Sequence, residues 1–207
     1  AIYLGNIAAN KSADKIHFEQ LTINNESFYK IENVNAMRPF FMSVVSNSNH
    51  WMFIASNGAL TAGRKNSDIA LFPYYTDDKI TESIEHTGCK TILLITKGDK
   101  TFLWEPFSEK HNGIYAIQRN LYKNDYGNKI IFEEINQDLG LSFSYEWNSS
   151  NRFGFVRKAK LTNNGDQNIK VDLIDGLQNI LPYGVGEDLQ KQSSNLVDAY
   201  KKTELNP

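Results

Sequence analysis

Leu141, Phe143, Tyr145 and Trp147 alternate with Ser142, Ser144 and Glu146. That period of two predicts a strand with one apolar face and one wet face. Ile169, Val171 and Leu173 repeat it around Lys170 and Asp172, after a turn at residues 162–166. Phe40 to Val45 and Trp51 to Ala55 are apolar runs separated by Ser-Asn-Ser-Asn, which predicts a hairpin. Ile16 to Ile23 and Phe28 to Ile31 flank Asn24-Asn25-Glu26 and predict an opening hairpin at a sheet edge, since Asn tolerates left-handed backbone. Thr91 to Ile95 is continuously apolar, the pattern of a strand buried on both faces, and Thr101 to Trp104 returns beside it across Lys97-Gly98-Asp99-Lys100. Further strands are expected over Ile114 to Tyr122, Lys129 to Asn136 and Phe153 to Leu161. Asn57-Gly58 and Gly63 read as two more turns.

Only the C-terminal end changes period. Leu189, Leu196, Val197 and Tyr200 share one helical face, with Glu187 and Asp188 early and Lys201 and Lys202 late, so a helix is expected over 186–202. Hairpin signals recurring roughly every ten residues point to two stacked sheets or a barrel, with successive strands paired antiparallel. The expected fold class is all-β: a large antiparallel β-sandwich over 1–185, followed by a helical linker over 186–207.

Composition narrows the function. The chain has 207 residues, 41% hydrophobic and 12% aromatic, enough for a sizeable core. Its 22 basic and 24 acidic residues leave a net charge of −2, so nucleic acid is not an expected partner. No apolar run approaches the roughly 20 residues of a membrane span, and no basic segment leads into an apolar signal core, so no membrane partner is expected; the compartment is left open, with the cytoplasm favoured. Cys89 is the sole cysteine, expected to be buried, and it excludes an intrachain disulfide. His17, His50, His86 and His111 form no HxH or HExxH pair, and the glycines do not form a phosphate-cradling loop, so no metal and no cofactor is expected.

Residues 36–80 hold the densest group of aromatic and turn residues. Trp51, Trp104, Phe72, Tyr74, Tyr75 and Tyr126 are of the type that stacks on sugar rings while amides and carboxylates take the hydroxyls. Trp51 and Trp104 stand in apolar runs and read first as core, whereas Tyr74 and Tyr75 lie between Pro73 and Asp77. Arg38 and Arg64 suit a carboxylate or phosphate, or a structural pairing with Asp77 or Asp78 in a loop. Glu133 and Glu134 are adjacent on a strand and point to opposite faces. The candidate carbohydrate-binding set is therefore Trp51, Arg64, Tyr74, Tyr75, Asp77 and Asp78; no catalytic set is visible.

Met37-Arg38-Pro39-Phe40-Phe41, the Trp51 strand, Ser56 to Arg64, and Phe72-Pro73-Tyr74-Tyr75-Thr76-Asp77-Asp78 resemble the N-terminal region of cellobiose-phosphorylase-like glycoside phosphorylases and hydrolases, as does Ala159 to Asn164. The resemblance implies a galactose-mutarotase-like supersandwich ahead of an (α/α)6 barrel of the same parent chain, with the general acid in the barrel. Cellobiose phosphorylases proper carry a Pro-Trp segment with an Asn-Tyr pair where this sequence has Pro39-Phe40-Phe41-Met42. The resemblance thus implies a non-catalytic domain that shapes an oligosaccharide site or a homodimer contact. A free-standing carbohydrate-binding module is the alternative. An enzyme of the mutarotase type needs a positioned His with a Glu, and no His here has a recognisable partner.

Overall fold

A computed structural model describes residues 3–4, 7–8, 15–74 and 77–192; for 3, 4, 7, 8, 77 and 78 it describes the backbone alone. The strands in chain order are β1 (Tyr3–Leu4), β2 (Ile7–Ala8), β3 (His17–Ile23), β4 (Glu26–Glu32), β5 (Phe41–Val44), β6 (His50–Ala55), β7 (Leu60–Arg64), β8 (Gly88–Lys97), β9 (Lys100–Trp104), β10 (Ile117–Asn124), β11 (Lys129–Asn136), β12 (Leu141–Ser150), β13 (Gly154–Asn163) and β14 (Lys170–Gln178). Two short helices, α1 (Asp77–Ile80) and α2 (Glu187–Gln192), complete them. The protein is an all-β antiparallel sandwich. A six-stranded sheet in the order β13-β12-β11-β10-β4-β3 forms one layer, and two three-stranded sheets, β14-β8-β9 and β5-β6-β7, form the other.

The alternating strand is β12, whose Leu141, Phe143, Tyr145 and Trp147 are all buried. They meet Met52, Ile54 and Leu60 of one small sheet and Leu93, Ile95 and Trp104 of the other in a single apolar cluster. Each large side chain so buried stabilises the fold by about 2–3 kcal/mol. The opening hairpin turns on Asn24 and Asn25, both at positive φ (48° and 65°), and β3 is an edge of the six-stranded sheet.

Several expectations are corrected. Successive pairing gives way to two non-successive pairs: β4 pairs with β10, and β14 pairs with β8, because the apolar strands close a second layer. The strand at Thr91–Ile95 is buried on one face only: Leu93 and Ile95 are sealed while Leu94 remains 42% exposed. β10 begins at Ile117, since residues 114–116 belong to the preceding loop. Gly63 lies inside β7, opposite Trp51, and makes no turn. Its backbone approaches so closely that a Cβ there would stand 2.5 Å from both the Ile69 carbonyl oxygen and Trp51 Cζ2. Asp77 and Asp78 open the helical turn α1 instead of lying in a loop. Of the helix expected over 186–202, Glu187–Gln192 is helical; residues 193–202, with Leu196, Val197 and Tyr200, lie outside the described residues.

Candidate functional site

The outer face of β5-β6-β7 carries a row of aromatic rings. Period two sends Met52 and Ile54 inward, so Trp51 and Phe53 point outward. Trp51 lies 5.7 Å from Phe53, Phe53 lies 5.3 Å from Phe41, and Tyr74 meets Trp51 edge-on at 5.9 Å. Trp51 Nε1 donates to the Asn66 carbonyl at 3.3 Å. Tilts of 34° and 37° along Trp51–Phe53–Phe41 turn part of each face towards its neighbour. The row therefore presents edges as well as faces and is not a flat platform.

The structure thus brings Trp51 and Tyr74 together but not Arg64. Arg64 stands opposite His50 in the β6–β7 register and so shares His50's face, away from Trp51. Its Nε and Nη2 both reach Asn49 Oδ1 at 3.4 Å. Tyr75 lies outside the described residues, as do the side chains of Asp77 and Asp78. Trp104 and Phe72 are core residues, and Tyr126 is 79% exposed at the β10–β11 turn.

A cavity of about 570 Å³ opens at the other end of this small sheet, where the segment around Val34–Met37, the Ser56-Asn57 turn, the loop over 105–116 and the start of β10 converge. Val34, Met37, Phe107 and Phe132 give it apolar walls, and Asn35, Asn112 and Gln137 stand on its rim. These three carboxamides make no side-chain hydrogen bond to another described residue. Glu109 is the one carboxylate among the described lining residues.

The loop is held from below by Glu134, fully buried on β11. Its Oε1 accepts from Trp104 Nε1, and its Oε2 from Phe107 N and from Arg119 Nε, each at 2.7 Å. Arg119 Nη2 also donates to the Ser108 carbonyl at 3.0 Å. A carboxylate taken out of water needs such a set of donors, one of them charged. Phe107 adopts φ +66°, a left-handed backbone that strains a bulky residue, and it keeps that conformation because its N–H meets Glu134 and its ring packs edge-on against Tyr145 at 5.1 Å. Glu85 ties the loop from the side, accepting from Ser108 Oγ at 2.9 Å and Glu109 N at 2.6 Å. Burial raises the Glu85 carboxyl, but these hydrogen bonds and Lys90 outweigh it and hold it below the usual carboxylate range.

Apolar walls with convergent polar groups are the usual make-up of a small-molecule site. Carboxamides both donate and accept, as hydroxyl groups do, so the rim suits a polyhydroxylated ligand. A lone carboxylate does not make the acid pair that glycoside hydrolysis uses. Among the described residues, no three His, Cys, Asp or Glu side chains cluster as metal ligands would. Compared with protein-family models and with curated proteins, the chain matches none.

The cavity residues escaped sequence reasoning because they come from four separated stretches. The Asn112-Gly113 turn signal and the loss of alternation over 105–116 were the local hints. Nothing in the sequence near Asn35 or Gln137 marks them as neighbours.

Proposed function

We propose that this chain is a non-catalytic, carbohydrate-binding β-sandwich domain of a larger glycoside phosphorylase or hydrolase that acts on oligosaccharides. The carrying observation is the cavity near Phe107, with apolar walls and three carboxamides that make no side-chain hydrogen bond to another described residue. The sugar's C–H groups lie against the partly buried Met37 and Tyr115, and Asn35, Asn112 and Gln137 take its hydroxyls. In the parent enzyme the general acid comes from a neighbouring (α/α)6-barrel domain, and this domain shapes the sugar site or a homodimer contact. The likeness of residues 37–78 to cellobiose-phosphorylase-like enzymes supports that placement.

A free-standing binding module is the second reading. It is favoured by a cavity whose described lining comes entirely from the sandwich. Titration with cello- and malto-oligosaccharides tests binding under either reading. The wild-type chain is expected to give heat with one series, and Asn112→Ala with Gln137→Ala to weaken binding about tenfold, since each neutral hydrogen bond contributes roughly 0.5–1.5 kcal/mol. No heat with either series would reject both readings.

A further inference from the structure

We propose a second binding site, for an acidic saccharide, in the groove between the β12–β13 turn and the end of β7. The groove has a volume of about 460 Å³ and shares no lining residue with the cavity near Phe107. Its charged lining is one-sided: Arg64 from β7 and Arg152 from the turn, beside the imidazole of His50 from β6, with no carboxylate among the described lining residues. Neither arginine forms an ion pair with a described residue. Both arginines are exposed, whereas the more buried Arg157 is matched by Asp175 and Lys90 by Glu105. Two guanidinium groups left unmatched beside one concavity favour an anion there.

Both guanidiniums are positioned. Arg152 lies over the Phe153 ring at 5.1 Å, which fixes its plane and leaves its N–H edges to a ligand. Arg64 leans on Asn49 through Nε and Nη2 and lines the groove. His50 is engaged through Nδ1 with Ser48 Oγ at 2.6 Å, and its ring meets Phe155 edge-on at 5.2 Å. Burial, and then the charge of Arg64, lower its proton affinity, so the ring stays neutral at pH 7 and the arginines carry the charge.

The anion is a sugar acid because of what surrounds the arginines. Tyr183 is fully exposed and Phe153 is 71% exposed, so two large aromatic groups stand in water at the rim, and Asn151 adds a carboxamide. A guanidinium fork takes a carboxylate in bidentate fashion, an aromatic face takes the ring, and the amide takes a hydroxyl. A bare oxyanion would use the first of these features and leave the others idle. The inference rests on the carbohydrate reading for the ligand's class, but not for the site or its charge.

The test is calorimetric titration with trigalacturonate, a neutral trisaccharide, inorganic phosphate and a short polyglutamate, on the wild-type chain, on R64Q, R152Q and R64Q/R152Q, and on the Asn112→Ala/Gln137→Ala variant. The expected result is binding of trigalacturonate that weakens with added salt, falls at least tenfold in R64Q/R152Q, and is unchanged in the Asn112→Ala/Gln137→Ala variant. The single variants, each folded by circular dichroism, are expected to show severalfold losses even if the double variant unfolds. Absence of trigalacturonate binding, a loss below twofold in the arginine variants, or equally tight binding of phosphate or polyglutamate would overturn the proposal. Binding of trigalacturonate alone, with no neutral sugar bound, would support the groove while rejecting the neutral cavity reading.

Discussion

At the scale of single residues, close approach and buried charge do what local pattern cannot show. Gly63 reads in sequence as a turn, yet its value is the space a side chain would fill. Gly63→Ala places a Cβ within 2.8 Å of the Ala70 backbone as well as against Trp51, and backbone cannot swing aside. A loss of about 1–3 kcal/mol is expected, measured by urea unfolding, with a shift in tryptophan emission as Trp51 is displaced. Glu134 stands in sequence beside a second acid, Glu133. Alternation separates it from Glu133, as expected, but only the fold brings Trp104, Phe107 and Arg119 to it. Glu134→Gln leaves Arg119 without its counter-charge and Phe107 less firmly held. A loss of about 3–5 kcal/mol is expected by the same measurement, together with weaker sugar binding at the cavity that Phe107 lines.

At the scale of elements, the two layers are clamped at one edge by Arg157 of β13 and Asp175 of β14, joined by two hydrogen bonds of 2.7 and 2.8 Å. Thr91 Oγ1 adds a third to Asp175 at 2.7 Å, and the guanidinium lies 5.2 Å from the Tyr145 ring centre. Cys89 sits beneath this clamp, and burial pushes its thiol up to about 11, so it is inert at neutral pH. Burial raises the Asp175 carboxyl, but the Arg157 and Thr91 hydrogen bonds and the Arg157 charge outweigh it, and the folded-state pKa is lowered. A depressed carboxyl pKa contributes stability above the unfolded value, near 3.9, and that contribution disappears as pH falls through the folded value. Asp175→Asn is therefore expected to cost about 1–3 kcal/mol at pH 7 and almost nothing below both values, as read from thermal melts across pH. The sequence gives no notice of the clamp, because Arg157 and Asp175 lie on strands that pair with different partners. The alternation of β12 and the Asn24-Asn25 turn were legible because each depends on its own few residues.

At the scale of the whole molecule, β10, β11 and β12 sit inside the six-stranded sheet and carry much of the common core, whereas β3 is an edge with Phe18 63% exposed. Hydrogen exchange is expected to be slowest in β11 and β12, approaching the global unfolding limit, and faster by orders of magnitude in β3; equal protection across the sheet would contradict this layering. The aromatic candidates show where sequence reasoning stopped. Trp51 and Tyr74 do meet, but Arg64 belongs to another face, since one step along a strand reverses a side chain's direction. Hydrophobic period and turn residues, acting over a few neighbours, determined that the chain is an all-β sandwich and where most of its strands turn. Which strands lie side by side, and hence where Phe107, Gln137, Arg64 and Arg152 come to stand, was decided only by tertiary structure. Burial of the shared apolar cluster selects that arrangement, and it depends on contacts between residues as distant in sequence as β8 and β14.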